Sequence, residues 1–126
     1  MNKGSEFEKK FGQMLKELDI MYTKIDATPS RSGSFPDYLV VPLSKSAMLF
    51  ELKTSEANHV KKNCKVLWRT SQRVHYKNLK QTITPVYTIV WYVFLFKYVI
   101  YGLTNEVLAE YPSKGWLKEG LRGLMI

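Results

Sequence analysis

The chain is poor in cysteine and in acidic residues. Its 126 residues include one cysteine, Cys64, so no internal disulfide can form and no cysteine cluster is available for zinc. Eleven Asp and Glu stand against 19 Lys and Arg, which gives a formal net charge of +8. This excess favours an anionic partner, either nucleic acid or acidic lipid headgroups. Aromatic residues, at 13%, are too frequent for a disordered chain.

The sequence also lacks a signal segment and a convincing membrane span. The first ten residues, MNKGSEFEKK, contain no apolar stretch of the kind that a secretory signal needs. The run from Ile83 to Leu103 is apolar, but it contains Lys97 and is rich in β-branched and aromatic residues. We therefore expect two buried strands there. With the lone cysteine, this predicts a soluble cytoplasmic protein with no membrane partner. The compactness of the chain and the lack of targeting signals favour a prokaryotic or viral source.

The pattern of apolar residues predicts a single domain over residues 1–126, because no repeat or linker divides the chain. A first helix is expected from about Glu6 to Asp19, with Ser5 as N-cap and Glu8 completing a capping box. Strands are predicted over 20–25, 37–42, 47–53, 87–96 and 98–103, and helices over 71–82, with Val74 turned inward, and over 105–111. This order predicts an α/β fold with a mixed central β-sheet of about five strands flanked by helices.

Two carboxylates and a lysine form the pattern with the clearest chemistry. Thirteen residues separate Pro36-Asp37 from Glu51-Leu52-Lys53, so both acids can meet at one end of the predicted hairpin. Glu51 and Lys53 share a strand face, while Leu52 points to the core and leaves its carbonyl nearby. Such an oxygen ligand set suits Mg²⁺ or Mn²⁺, and an ammonium beside it can orient a water. The structural alternative is a solvent-facing Glu–Lys pair and an ordinary Pro-Asp turn.

The spacing Pro36-Asp37-x13-Glu51-Leu52-Lys53 resembles the PD-(D/E)xK signature of the restriction-endonuclease-like nucleases. The segment Lys3-Gly4-Ser5, ahead of a glutamate on the first helix, is similar to the opening of archaeal-type Holliday junction resolvases. The resemblance covers roughly the first half of the chain. It implies a restriction-endonuclease-like fold and a Mg²⁺-dependent nuclease, with Mn²⁺ as a possible substitute and no small-molecule cofactor.

Carried over by position, the resemblance implies that Glu8, Asp37 and Glu51 are the metal-binding carboxylates and that Lys53 is the catalytic lysine. Glu6 competes with Glu8 for the first of these roles. The capping box offers a complete structural explanation for Glu8, so both readings stay open.

Two further polar positions match the resembled family. One of Ser30, Ser32 and Ser34 corresponds to a loop serine near the scissile phosphate, and Ser34 is favoured because it is nearest to Asp37. Gln72 corresponds to a helical Gln or His that faces the metal site in related nucleases. The alternative for Gln72 is a surface or structural role.

Basic residues follow the carboxylate motif. Between residues 54 and 81 the chain carries a single acid, Glu56, and seven basic residues: Lys61, Lys62, Lys65, Arg69, Arg73, Lys77 and Lys80. Our candidates for DNA phosphate contacts are the first six of these basic residues, without Lys80, together with Arg31 in the Ser/Gly loop. Trp68 is expected in the core rather than stacked on a base. No sequence-reading motif is present, so recognition of backbone and shape is expected.

These observations predict a structure-selective DNA endonuclease. The resemblance implies that the protein acts as a homodimer on branched DNA. It would make two paired, symmetric cuts at a four-way (Holliday) junction and leave 5′-phosphate and 3′-hydroxyl ends. A nuclease of the same superfamily acting on duplex, nicked or flap DNA is the nearest alternative, since fold and motif do not choose a substrate. A non-catalytic basic DNA-binding module, with structural carboxylates, is the alternative of a different class.

Overall fold

The computed structural model describes residues 3–25, 37–42, 45–68, 70–79, 85–113 and 116–125. Within these residues the chain forms a mixed α/β fold with one six-stranded sheet and three α-helices. The α-helices are α1 (Lys3–Glu17), α2 (Thr70–Leu79) and α3 (Trp116–Met125). The strands are β1 (Met21–Lys24), β2 (Tyr38–Val41), β3 (Met48–Ser55), β4 (Val86–Tyr92), β5 (Lys97–Tyr101) and β6 (Val107–Pro112). Short 3₁₀ turns cover Cys64–Leu67 and Val93–Leu95.

The strands lie in the sheet in chain order, from β1 at one edge to β6 at the other. All neighbouring pairs are antiparallel except β3 and β4, which are parallel, with Glu51 beside Thr88 and Lys53 beside Val90. A parallel pair needs a crossover, and the segment that contains α2 provides it. The crossover therefore carries α2 back over the sheet next to the strand that bears Glu51.

Alternation along the strands divides the core between the two faces of the sheet. Phe50 and Leu52 belong to a cluster with the apolar side chains of α1 and α3, whereas Leu49 belongs to a second cluster with Cys64 and Trp68. Glu51 and Lys53 have the same parity as Leu49 and therefore lie on the side of the second cluster. The predicted inward direction of Leu52 and the burial of Trp68, which is 4% exposed, are confirmed.

The structure corrects the expected α-helical boundaries. Helix α1 begins at Lys3, so Ser5 lies inside its first turn and is not an N-cap, and the predicted capping box is wrong. The explanation of Glu8 as half of that box falls with it. On α2, Val74 is 53% exposed instead of turned inward.

The second half of the chain also departs from expectation. The segment predicted as a short helix over 105–111 is strand β6, and the sheet has six strands rather than about five. The residues that follow form α3, whose Leu117, Leu121 and Met125 recur every four positions and pack into the first cluster. Strands β4 and β5 are adjacent and antiparallel, which confirms two buried strands in the apolar run. No helix among the described residues is long and apolar enough to cross a membrane.

Candidate active site

A polar cleft of about 300 Å³ opens where the first turns of α1 meet β3 and α2. It brings together six predicted site residues from four separate parts of the sequence: Glu8, Asp37, Glu51, Leu52, Lys53 and Gln72. Gly4, Ser5, Phe7 and Thr54 complete its lining. The predicted carboxylate–lysine motif is thus one local arrangement, and helix α1 contributes to it directly.

Asp37 is fixed between two hydrogen bonds to β3. Its N–H donates to the Phe50 carbonyl at 2.9 Å, and its Oδ2 accepts the Leu52 N–H at 2.8 Å. The two bonds flank Glu51, so the carboxyl-bearing residues are immediate neighbours across the strands. Within a strand a residue's carbonyl leaves on the same side as its N–H, so the Leu52 carbonyl also faces the Asp37 side.

Glu51 is a carboxylate buried to 2% exposure at the back of the cleft. Its Oε2 accepts a 2.8 Å hydrogen bond from Gln72 Nε2 and lies 3.7 Å from Lys53 Nζ. Gln72 is itself 2% exposed, so α2 meets the sheet here through a buried polar contact. Removing a carboxylate from water is costly unless hydrogen bonds and a cation offset the loss, and Gln72 and Lys53 supply both.

Glu8 reaches the cleft from α1, and the structure distinguishes it from Glu6. Glu8 lines the cleft, with its Oε2 3.0 Å from Lys24 Nζ. Glu6 is exposed and pairs with Lys3 at 3.6 Å. Of the two competing glutamates, Glu8 is therefore the one placed at the site, although its carboxylate is shared with a lysine that the sequence did not indicate.

The Tyr38 phenol lies next to the carboxylates of the cleft, and its pKa is raised in part by their negative charge. Its hydroxyl donates to the Glu8 carbonyl at 3.4 Å. Burial raises the pKa of this phenol, and the negative charges of Glu8 and Asp37 raise it further, in that order. The neutral phenol is therefore favoured next to two carboxylates.

The donors of the cleft suit a hard dication. Asp37 and Glu51 contribute carboxylates, and the Leu52 carbonyl faces the same side; such oxygens are the ligands that Mg²⁺ prefers. Among the described residues no group of three or more Asp, Glu, His and Cys side chains is arranged to hold a metal. Glu8 lies in the same cleft, beside Lys24, and is a peripheral member of the set.

The basic segment after β3 is well exposed where it is described. Lys62, Lys65, Arg73 and Lys77 have exposed side chains, and Lys61 is partly buried. Arg73 Nε donates to the Lys65 carbonyl at 3.1 Å, which ties the start of α2 to the preceding 3₁₀ turn. Three predicted residues, Ser34, Arg31 and Arg69, lie outside the described residues.

Sequence reasoning did not assign site roles to Gly4, Ser5, Thr54 or Lys24. Gly4 and Ser5 belong to the Lys3-Gly4-Ser5 segment, and their place in the cleft follows from the early start of α1. Lys24 reaches Glu8 because α1 packs beside β1, a contact with no signature in local sequence. The chain matches no protein-family model and no curated protein.

Proposed function

We propose that this protein is a metal-dependent DNA endonuclease of restriction-endonuclease-like fold that resolves four-way junctions. The observation that carries the proposal is the meeting of Asp37, Glu51 and Lys53 in one cleft, with Gln72 bonded to the buried Glu51. A buried acid joined to a neighbouring acid, a lysine and an amide is a costly arrangement for structure alone. The mixed sheet with helical elements on both faces supports the proposed fold.

The polar groups at the centre of the cleft have places in phosphodiester hydrolysis. A bound Mg²⁺ or Mn²⁺ would neutralise phosphate charge and acidify a water. Asp37, Glu51 and the Leu52 carbonyl would hold the ion, and Gln72 keeps the Glu51 carboxylate in position. Lys53 orients the attacking water, whose oxygen bonds to phosphorus as the bond to O3′ breaks. One proton passes from that water to O3′, which leaves 5′-phosphate and 3′-hydroxyl ends.

The net charge of +8 supports DNA as the substrate. The exposed cations after β3 and on α2 favour contacts to phosphates, which position DNA without reading its sequence. Selectivity would then depend on DNA shape. A four-way junction has two-fold symmetry, and a homodimer would present two clefts to opposing strands.

The test is cleavage of an end-labelled immobile four-way junction and of its matched linear, nicked and flap duplexes, with Mg²⁺, Mn²⁺ or EDTA. Wild type is compared with Glu51→Gln and with Glu17→Gln, a matched substitution at the far end of α1, where Glu17 pairs with Lys118 at 3.0 Å. We expect paired cuts on the junction, lost by about 100-fold or more in Glu51→Gln and unchanged within about two-fold in Glu17→Gln.

Other results separate the alternatives. Equal cutting of the junction and the linear or flap substrates would keep the metal site and reject junction resolution. Tight, salt-sensitive binding with no cutting by either metal would leave a non-catalytic DNA-binding module.

A further inference from the structure

The turn between β4 and β5 presents two phenylalanine side chains to solvent. Phe94 is 62% exposed and Phe96 is 74% exposed, the highest value among the large hydrophobic residues described. Leu95, between them, packs against the second cluster and anchors the turn to the sheet. Single exposed apolar residues are ordinary, but two aromatic rings at one turn form a patch of the kind used for binding.

Phe96 keeps its exposed ring in an unfavourable backbone conformation. Its φ is 53°, in the left-handed region that glycine and asparagine adopt most easily. The conformation is held by two hydrogen bonds, from its own N–H to the Val93 carbonyl at 3.4 Å and from the Ser113 N–H to its carbonyl at 2.9 Å. A phenylalanine at a position suited to glycine, and with its ring outside the core, points to a use for the ring.

The turn lies at the same end of the sheet as the cleft. In the parallel β3–β4 pair, Lys53 is beside Val90 and Ser55 is beside Tyr92, and the turn begins at the next residue. Val93 follows Val90 by three positions, which at about 3.3 Å per residue is about 10 Å along the chain. The start of α1 lies there too, because Lys3 Nζ is 5.2 Å from the centre of the Trp91 ring.

Basic residues near the turn outnumber the acid beside it. Glu110 lies next to Phe96 and pairs with Lys97 at 3.2 Å, and Lys10 Nζ lies 3.5 Å from the carbonyl of Ser113, whose N–H binds Phe96. The loop over residues 56–62 contains Lys61 and Lys62 against the single acid Glu56. The sheet fixes this loop, because Tyr92 Oη accepts the Lys61 N–H at 3.0 Å and Tyr101 Oη donates to the Lys61 carbonyl at 2.7 Å. Two copies of the chain meeting at these turns would bring their lysines together, so the patch is better suited to an anionic partner with apolar, planar groups.

We propose that Phe94 and Phe96 stack on unpaired or unstacked bases of the DNA whose phosphates the neighbouring lysines hold. The inference rests on the proposed function and names the feature of branched DNA that this end of the molecule recognises. Every base has a stacking face, so this contact selects open DNA over paired duplex without reading sequence.

The test measures binding in EDTA, so that cleavage does not enter the result. Fluorescence anisotropy compares a labelled duplex that contains a four-nucleotide bulge with the same duplex fully paired. The variants are Phe94→Ala and Phe96→Asn, since asparagine tolerates the left-handed conformation, and the control is Met21→Ala on β1, where Met21 is 72% exposed. We expect each phenylalanine variant to weaken binding to the bulge about five-fold or more, with duplex binding changed less than about two-fold. Met21→Ala should change neither.

Several results would overturn the inference. Unchanged binding of the bulge, or equal weakening on both substrates, removes base stacking. A smaller sedimentation coefficient for the variants assigns the patch to contacts between copies. Loss of binding to vesicles containing phosphatidylserine, with DNA binding retained, assigns it to a lipid surface. The proposed nuclease activity fails separately from this inference. In that case the protein cuts no substrate but still binds the bulged duplex more tightly than the paired duplex.

Discussion

At the scale of single residues, variants of Asp37 can distinguish its contribution to stability from its proposed role in catalysis. Its Oδ2 accepts the Leu52 N–H at 2.8 Å in a buried setting. Asp37→Ala leaves that N–H without its acceptor and should lower the free energy of unfolding by about 1–3 kcal/mol. Asp37→Asn keeps an oxygen in place and should lower it by less than about 1 kcal/mol. Denaturant titration measures both values.

Both Asp37 variants should abolish metal-dependent cleavage, because an amide is a poor ligand for Mg²⁺ compared with a carboxylate. Cleavage retained by Asp37→Asn would exclude Asp37 as a metal ligand. Equal destabilisation by the two variants would mean that its charge, and not its hydrogen bond to Leu52, supports the fold.

Cys64 gives a second prediction at this scale. The side chain is fully buried, and desolvation, the largest cause, raises the pKa of the thiol to about 11. Since the thiolate is the reactive form, only about one thiol in a thousand is ionised at pH 8. We expect Ellman's reagent to label native protein slowly at pH 8 and denatured protein within seconds to minutes. Rapid labelling of the native state would show that the segment around Cys64 opens readily.

Much of the candidate site could be predicted at the residue scale because its geometry is local. Strand alternation places Glu51 and Lys53 on one face, and the short hairpin brings Asp37 next to them. The position of Gln72 opposite Glu51 depends on how α2 crosses the sheet, which its sequence alone does not specify. The pairing of Glu8 with Lys24 is set by packing of α1 beside β1 and has no local signal.

At the scale of elements, two glycines of α3 provide a matched test of packing. A Cβ on Gly120 would collide with the ring of Tyr111, whereas a Cβ on Gly123 meets nothing within 4 Å. Alanine gains about 1 kcal/mol of helix propensity over glycine. Gly123→Ala should therefore stabilise the protein by about 0.5–1 kcal/mol. Gly120→Ala should destabilise it by about 1–3 kcal/mol, because the Tyr111 ring, which packs against the first cluster, or α3 itself must move to make room.

Thermal and denaturant unfolding measure the two effects, and Tyr111→Ala is the control. Replacing Tyr111 removes the ring that a Cβ at position 120 would meet, so Gly120→Ala should cost much less in that background. An unchanged cost would place the strain elsewhere in α3.

The sequence did not predict β6 and α3, because both elements depend on contacts with distant parts of the chain. Residues 107–111 have no strong preference for strand, and they form β6 because the free edge of β5 offers hydrogen bonds, with pairs such as Val99 beside Glu110. Helix α3 carries a readable four-residue spacing at Leu117, Leu121 and Met125, but Gly120 and Gly123 lower the helix propensity of that segment. Its amphipathic face is explained by the cluster that it covers on the sheet.

At the scale of the whole molecule, charge and burial separate the two faces of the sheet. One face packs α1 and α3 onto aromatic and aliphatic residues, and the other holds the smaller cluster, the buried Glu51 and the basic crossover. The cleft lies where these two regions meet, at the first turns of α1. Distortion of α1 should therefore affect both the core and the candidate site, whereas changes at the surface of α2 should affect only the proposed DNA binding.

The buried phenols predict how the stability of the whole protein depends on pH. Burial raises the pKa of Tyr38, with Glu8 and Asp37 adding to the effect, and burial followed by the hydrogen bond to Tyr92 raises the pKa of Tyr101. Above about pH 10 the unfolded chain releases these protons while the native state retains them. The free energy of unfolding should then fall with rising pH, by up to about 1.4 kcal/mol per pH unit for each phenol.

Urea unfolding between pH 8 and pH 11 tests this slope, and Tyr38→Phe is the informative variant. It keeps the ring in the core and removes one titrating group together with a long 3.4 Å hydrogen bond. Its stability should decline less steeply above pH 10 than that of wild type, by about one proton's contribution. Wild type and variant share all the other titrating groups, so the contributions of those groups cancel in the comparison. Parallel declines would show that Tyr38 releases its proton as easily in the native state as in the unfolded chain.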